Sequence, residues 1–229
     1  MRAPSLPQLR RAIVACRACP RLVAWRERVA REKVARFRDQ EYWGKPVPGF
    51  GDVGARIVVV GLAPGAHGAN RTGRVFTGDR SGDFLYAALH RAGLASQPES
   101  VARDDGLTLR DVYVTTPVRC APPDNAPAPG EIARCAHFLD EELALLRRVR
   151  VFLALGAIAW RAVLDHAARA GVAVAAPRPA FAHGARVDLG PRVLFGSYHV
   201  SQQNTQTGRL TPDMFDRVLD EANRAARER

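Results

Sequence analysis

The chain has 229 residues, 47% of them hydrophobic, and its formal net charge is +11 at pH 7. This composition is typical of a globular protein with one sizeable core, and no apolar run approaches the roughly 20 residues that span a membrane. The N-terminal stretch MRAPSLPQLRRAIVAC is too short in apolar residues and too rich in arginine for a secretory signal. We therefore expect a cytoplasmic protein without a membrane partner.

The excess of positive charge predicts a polyanionic partner. Basic residues number 34 against 23 acidic ones, and Lys33 and Lys45 are the only lysines, so 34 − 2 = 32 are arginines. Genomic codon bias explains part of the preference for arginine but not the excess of basic over acidic residues. Arginine also makes bidentate contacts to phosphate that lysine cannot make. Nucleic acid is the leading candidate for the partner.

The predicted elements change character at about residue 56. Two helices are predicted before residue 41, broken around CRACP, and the Gly/Pro-rich passage YWGKPVPGFGDVGA that follows cannot sustain a helix or a central strand. Continuous apolar runs then alternate with helical patterns. Strands are predicted over 56–61, 112–116, 151–156 and 192–199, and helices over 81–93 with Ser81 as N-cap, 131–149, 158–171 and 212–229.

Strands without polar alternation, separated by helices, indicate a parallel sheet buried on both faces. The sequence therefore predicts an α/β fold, a three-layer α/β/α sandwich with a central four-stranded parallel sheet. Ligands of such sheets bind outside the carboxyl ends of the strands. Three loops rich in Gly, Pro, Asn, Thr or Gln leave those ends, at 61–79, 115–130 and 199–211. We expect the functional site where these loops meet.

The four cysteines predict one shared metal site. Cys16 and Cys19 form a CxxC pair, Cys120 follows the second predicted strand, and Cys135 lies in the next helix. Four thiolates suit a zinc ion or a [4Fe–4S] cluster, and the wide second spacing favours the cluster, with zinc as the alternative. A redox CxxC beside two core thiols is a further alternative, but this CxxC precedes every predicted strand. We predict one domain, 1–229, whose N-terminal helices within 1–40 are joined to it through a structural cluster.

Three long motifs carry a family resemblance. The runs GLAPGAHGANRTGRVFTGD (61–79), VYVTTPVRCAPPDNAPAPGE (112–131) and HVSQQNTQTGRLTP (199–212), with the four cysteines at this spacing, resemble the family 5 (type B) uracil-DNA glycosylases. This is an iron–sulfur branch of the uracil-DNA glycosylase superfamily. The resemblance implies a four-stranded parallel sheet between helices, a [4Fe–4S] cluster, and hydrolytic removal of uracil and some related damaged bases from DNA.

The chemistry that the resemblance implies agrees with the residue types in the loops. A glycosylase flips its target nucleotide into a pocket and needs donors at the base oxygen and a group that activates water near C1′. His199 is predicted to donate to the base, with a purely structural histidine as the alternative, and Phe76 to stack on it, with a core phenylalanine as the alternative. The other predicted substrate contacts are Gly61, Leu62, Ala63, Gly65, Asn70, Thr116, Ser201, Gln202, Gln203 and Asn204.

The residue that activates water is left open by the sequence. The related family 4 enzymes carry a glutamate at the position of Leu62, and in family 5 the proposed water-orienting residue is Asp79. Asp79 also stands just before the predicted helix 81–93, so capping that helix is an equal alternative. His67 is a further candidate to position water. Asn70 is a weaker one, since a turn-forming asparagine is the commoner case.

Two departures from the family pattern affect substrate choice and the wedge. Relatives often have asparagine where Thr116 stands, so we expect substrates beyond uracil, such as hypoxanthine or thymine opposite guanine. Relatives commonly have proline where Val200 stands. The run QQNT (202–205) is predicted to fill the gap left by the flipped base, with Arg71 and Arg209 near phosphates.

The lysine positions limit the reaction. Glycosylases that also cut the strand often use a lysine Schiff base, whereas Lys33 and Lys45 lie outside all three loops. We predict a monomeric, monofunctional enzyme that leaves an abasic site in DNA. The alternative is a non-catalytic iron–sulfur protein that binds DNA and senses damage.

Overall fold

The computed structural model describes residues 5–228. The first four residues of the predicted N-terminal region 1–40 and the last residue of the predicted helix 212–229 therefore lie outside the described part. The helices α1 (Leu6–Ala15) and α2 (Pro20–Glu32) come first, on either side of the CxxC pair. The second helix ends earlier than predicted, because Lys33 takes a positive φ of 55° and only a short 3₁₀ turn follows at Ala35–Phe37.

A six-stranded sheet forms the middle layer. Its strands are β1 (Phe50–Gly51), β2 (Ile57–Val60), β3 (Val112–Thr115), β4 (Val151–Leu155), β5 (Arg186–Leu189) and β6 (Arg192–Ser197), in the spatial order β1-β3-β2-β4-β6-β5. The four central strands are parallel, as predicted, and Ile57 pairs with both Val112 and Val151. The prediction omitted the two antiparallel edge strands. β1 is only two residues long and β5 is largely solvent-exposed, so neither carries a continuous apolar run.

Six helices accompany the sheet: α3 (Ala69–Thr72), α4 (Arg80–Arg91), α5 (Pro129–Leu145), α6 (Ala157–Arg169), α7 (Gln202–Gln206) and α8 (Pro212–Glu228). The four longer ones match the predicted helices within a few residues. α3 and α7 were not predicted, because each is about one turn inside a loop motif. The N-cap of α4 is Asp79 and not Ser81, since the Asp79 side chain accepts a hydrogen bond from the Gly82 amide.

The side chains of β2 divide the core into two layers. Ile57 and Val59 point to one face, where they join a cluster formed with α4 and α8. Val58 and Val60 point to the other face, where they join a cluster formed with α5 and α6. Helices thus cover both faces of the sheet, which confirms the three-layer α/β/α sandwich. None of the helices within residues 5–228 is long and apolar enough to cross a membrane.

The strand order places a crevice between β2 and β4. From β2 the chain passes through α4 to β3 on one side, whereas from β4 it passes through α6 to β6 on the other. Adjacent parallel strands whose connections leave in opposite directions form a topological switch point, where ligands bind in doubly wound sheets. All three predicted loops start at this end of the sheet.

Candidate active site

A cavity of about 720 Å³ opens at the carboxyl ends of the central strands. The loops after β2, β3 and β6 all contribute to it. Every predicted catalytic or substrate-binding residue lines this cavity except Gly61 and Asn70. Sequence reasoning missed Arg36, Asp124 and Asn125, which also line it. Arg36 precedes the first central strand by some twenty residues, so no local pattern could have assigned it to the site.

Phe76 forms an aromatic wall of the cavity in a strained conformation. Its ring packs on Gly61, where an added Cβ would lie 2.6 Å from ring carbons and would displace the ring. Its backbone has a φ of +51°, which a bulky side chain rarely adopts. Such strain persists only where the surroundings enforce it, and it concentrates at functional sites. Phe76 is also 8% exposed and belongs to the core, so it serves both as core residue and as cavity wall.

His199 brings a neutral imidazole to the cavity. It directly follows β6, and its ring lies 6.1 Å from the Phe76 ring, centroid to centroid. Burial lowers the pKa of His199 to about 4, so the ring is uncharged at neutral pH. Its ring nitrogens form no hydrogen bond with any residue between 5 and 228, whereas its carbonyl accepts one from Asn204 Nδ2 at 2.7 Å. One N–H of the neutral ring is therefore available to a ligand.

Asp79 serves as a helix cap and still reaches the loop. Its Oδ1 accepts a hydrogen bond from the Gly82 amide at 3.0 Å. Its Oδ2 lies only 1.8 Å from the position that a Cβ would take at Gly68, so the carboxylate packs directly against the glycine-rich loop. Burial is the main cause that raises the pKa of Asp79, opposed by the amides of Gly82 and Ser81. Capping and a role in the cavity are compatible, because they use different oxygens.

His67 is held by one nitrogen. The Tyr42 hydroxyl and His67 Nδ1 are 3.1 Å apart and share a hydrogen bond. Burial lowers the pKa of His67, and the positive charges of Arg36 and Arg71 lower it further. The second ring nitrogen has no protein partner among residues 5–228. His67 is thus an uncharged, oriented imidazole at the cavity wall.

Two predicted contacts are structural instead. The Asn70 side chain is fully buried, and its amide donates to the Arg26 carbonyl at 3.2 Å. Arg71, expected near a phosphate, donates to the His67 carbonyl at 2.8 Å and to the Gly78 carbonyl at 2.7 Å. The expectation for Arg71 is wrong, because its three guanidinium nitrogens already donate to the His67 and Gly78 carbonyls and to Gln40 Oε1.

Thr116 and the residues at the start of α7 complete the lining of the cavity. Thr116 Oγ1 donates to the Val118 carbonyl at 2.8 Å, which leaves this oxygen only an acceptor toward the cavity. Gln202 and Gln203 are exposed at the start of α7. Arg209 lies over the Tyr198 ring at 4.7 Å and stays exposed, so it remains free to approach a phosphate.

The four cysteines line a second, narrower cavity away from this site. All four are free thiols, and Arg119, Arg134 and Phe138 line the cavity with them. Burial and, to a smaller extent, the three other cysteines raise the pKa of Cys120 to about 12, opposed by the charge of Arg26. All four thiols border the same cavity. Within residues 5–228, no three His, Cys, Asp or Glu side chains are placed to share a single metal ion.

These features define a doubly wound α/β/α protein whose three motif loops build one aromatic-walled cavity at the switch point. The family model described as the uracil DNA glycosylase superfamily matches residues 48–223. The chain therefore belongs to the uracil-DNA glycosylase superfamily.

Three relatives identify the branch. The chain is 58% identical over 215 residues to the type-5 uracil-DNA glycosylase of Thermus thermophilus, covering 93% of this chain and 95% of the relative. It is 53% identical over 226 residues to that of Mycobacterium tuberculosis, covering 98% and 83%. It is 47% identical over 210 residues to that of Pyrobaculum aerophilum, covering 92% and 88%. The resemblance to family 5 is thus confirmed.

Proposed function

We propose that this protein is a DNA-repair enzyme that hydrolyses the bond between uracil N1 and deoxyribose C1′ in DNA. Family membership supports the reaction. The observation that carries the assignment to this site is the single cavity in which Phe76, His199 and Asp79 meet at the carboxyl ends of the sheet. The C1′–N1 electron pair leaves with uracil, and a water oxygen bonds to C1′.

Base binding combines stacking with one neutral donor. Phe76 stacks on the flipped uracil, and His199 donates its N–H to a carbonyl oxygen of the base. Negative charge grows on that oxygen as the bond breaks, so this hydrogen bond strengthens toward the transition state. A neutral imidazole keeps its N–H at physiological pH, so the donor is present before the reaction begins. The low pKa of His199 supports this role.

Asp79 and His67 divide the work on water. The Asp79 oxygen that does not cap α4 orients the water and accepts its proton as the C1′–O bond forms. Its negative charge also stabilises the oxocarbenium character of the sugar. His67, fixed through Tyr42, positions the water or a base edge with its free nitrogen. The raised pKa of Asp79 makes it a stronger base than an exposed carboxylate.

Thr116 broadens the choice of base. Because its hydroxyl hydrogen is donated to Val118, the side chain offers the base an acceptor and no donor. An asparagine amide would offer both an acceptor and a donor, and would therefore select bases whose edge carries the matching donor and acceptor. We propose that hypoxanthine, and thymine opposite guanine, are also excised.

The reaction ends at an abasic site. Lys33 donates its ammonium to the Arg38 carbonyl at 3.0 Å, and Lys45 lies 5.5 Å from the Trp43 ring centroid. Neither lysine lines the cavity. No lysine is therefore placed to form a Schiff base with C1′, which supports a monofunctional glycosylase.

Cys16, Cys19, Cys120 and Cys135 are proposed to hold a [4Fe–4S] cluster. The set of four thiols around one cavity fits this group. When bound, the cluster supplies a structural crosslink, and the hydrolysis needs no electron from it. Its ligands would join the segment between α1 and α2 to the loop after β3 and to α5, so that the chain acts as one domain. Iron and acid-labile sulfide analysis distinguishes the cluster from zinc.

A cleavage assay tests the proposal. Labelled duplexes carrying one uracil, hypoxanthine or mismatched thymine are incubated with the protein and analysed with and without alkali. We expect strand breaks only after alkali, and the fastest reaction with uracil. If none of the duplexes yields an alkali-labile site while the protein still binds them, the protein is a DNA-binding sensor and the proposal is wrong.

A further inference from the structure

A second large cavity, which we call the basic pocket, opens beside α1, α2 and β1. Its volume is about 670 Å³. It shares no lining residue with the cavity of about 720 Å³ proposed to bind the base, which we call the base-binding cavity. Segment 73–76 contributes residues to both cavities. Gly73 and Arg74 line the basic pocket, whereas Val75 and Phe76 line the base-binding cavity. The basic pocket is therefore a separate site close to the first one.

The lining of the basic pocket is predominantly positively charged. It holds no acidic side chain and seven basic ones: Arg10, Arg11, Arg17, Arg26, Lys45, Arg74 and Arg103. Arg17 is ion-paired with Glu27, and Arg74 with Asp105 at 2.6 Å. Arg26 lies 3.7 Å from the same Glu27 carboxylate. The other four cations have no ion pair within residues 5–228. A concave surface of one charge concentrates the field and attracts counter-ions.

Buried donors at the pocket lack partners. Arg26 is 2% exposed, and its Nε and Nη1 are buried without a hydrogen bond within the described chain. Its Nη2 donates to the Cys16 carbonyl at a long 3.4 Å. Arg10 Nε is likewise buried without a partner. Arg26 also lies beside the cysteines, since its Nη2 contacts the Cys16 carbonyl and its charge lowers the pKa of Cys120. Its free donors therefore also suit the proposed cluster, whereas Arg10 lines the basic pocket. An unpaired buried donor is unfavourable, so Arg10 is better suited to a bound anion than to an empty pocket.

Two of the exposed cations are held in place by an aromatic ring. Arg103 lies 4.7 Å and Lys45 5.5 Å from the centroid of the Trp43 ring. Cations fixed in this way lose less conformational freedom when they bind a ligand. Guanidinium groups form paired hydrogen bonds to phosphate oxygens, and arginine dominates this lining. The chemistry of the pocket thus favours a phosphate group.

We propose that the basic pocket is a second ligand site that binds a phosphate group. The phosphate has one of two sources: the backbone of the DNA strand outside the flipped nucleotide, or a free phosphate-bearing molecule. The DNA source rests on the proposed function, whereas the free source does not. Neither source has to enter the base-binding cavity.

Two matched variants of the full-length, metal-loaded protein separate these sources. The test variant is Lys45→Ala with Arg103→Ala, and the control is Arg110→Ala with Arg147→Ala. All four side chains are exposed, and the control pair precedes β3 and β4 at the opposite end of the sheet. Both variants lose the same net charge. Inorganic pyrophosphate is titrated by calorimetry, and binding of an undamaged duplex is measured over a series of salt concentrations.

Each source gives its own pattern. If DNA occupies the pocket, the salt dependence of DNA binding falls in the test variant by roughly 0.9 in log–log slope for each lost contact, and not in the control. If a free ligand occupies it, wild type and control bind pyrophosphate, and the test variant binds it about tenfold more weakly. If test and control variants behave alike in both assays, the proposal is wrong.

The rate of uracil excision keeps the two proposals apart. At saturating enzyme, the single-turnover rate of the test variant should equal that of the wild type, because neither Lys45 nor Arg103 lines the base-binding cavity. If the wild type excises no uracil, only the proposed function is contradicted. The pyrophosphate titration still tests whether the basic pocket binds phosphate. Arg11→Gln provides a third variant with the same direction of change expected, since Arg11 lines the basic pocket and is exposed.

Discussion

The base-binding cavity and the cysteine cavity use buried titratable groups in opposite ways. In the first, His199 and His67 each keep a ring nitrogen without a hydrogen bond within residues 5–228, and Asp79 caps α4 with only one of its oxygens. In the second, four thiols crowd together, and burial raises the pKa of Cys120 to about 12. A site that binds a substrate must orient its polar groups and still leave some of their hydrogen-bonding atoms free. A structural metal site is complete only when one group binds all of its ligands.

The largest effect is expected at the cysteine cavity. Cys120→Ala should remove the metal and lower the melting temperature strongly, because a structural metal site contributes binding free energy to folding. Metal analysis and thermal unfolding measure both effects. Val118→Ala is the control, since Val118 is fully buried in the same small cluster. It should cost on the order of 2 kcal/mol and retain its metal. A Cys120→Ala protein of unchanged stability would contradict the structural role.

Asp79 separates catalysis from capping. Asparagine caps helices about as well as aspartate, so Asp79→Asn should keep the stability of α4 while removing the base. We expect the single-turnover rate of uracil excision to fall by about a hundredfold or more. Asp79→Ala should show the same loss of rate and a further loss of about 1 kcal/mol in stability. An asparagine variant with the wild-type rate would reduce Asp79 to a helix cap.

Gly61 tests whether the position of the Phe76 ring matters. A Cβ at residue 61 would lie 2.6 Å from that ring, so Gly61→Ala must displace it. Overpacking of this kind costs about 1–3 kcal/mol, and we expect a raised KM because stacking on the base is disturbed. Gly130→Ala is the control, since a Cβ there meets nothing within 4 Å. Equal KM values for both variants would show that the ring need not stack on uracil.

The most gradual effect, spread over several pH units, concerns the pH dependence of stability. The pKa of His199 is lowered from 6.5 to about 4 in the folded protein. As pH falls below about 6.5, His199 becomes protonated in the unfolded chain but stays neutral in the folded protein until about pH 4. His199 therefore makes folding less favourable as pH falls across that window. His199→Asn should therefore lose less stability than the wild type between pH 7 and pH 4 in urea titrations. Parallel curves would contradict a buried, neutral His199.

The sequence patterns predict the central strands and the positions of the loops. They do not predict which contacts the side chains make inside the loops. Continuous apolar runs such as IVVV (57–60) predict the parallel strands, because a strand buried on both faces leaves no polar position. The edge strand β5 lacks that signal, since its pattern RVDL is mostly exposed. Arg71 and a phosphate-binding arginine look alike in sequence. Only the folded loop shows that the Arg71 guanidinium is already bonded to carbonyls of that loop.

The most direct test of the account is the release of free uracil under single-turnover conditions, measured by mass spectrometry beside the metal content of each sample. The wild type should release uracil from a duplex with uracil opposite guanine and leave the strand intact. His199→Ala should release it at least about a hundredfold more slowly at unchanged metal content, because the donor to the developing charge is lost. No uracil from the wild type, or equal rates for the two proteins, would contradict the assignment of the chemistry to this cavity.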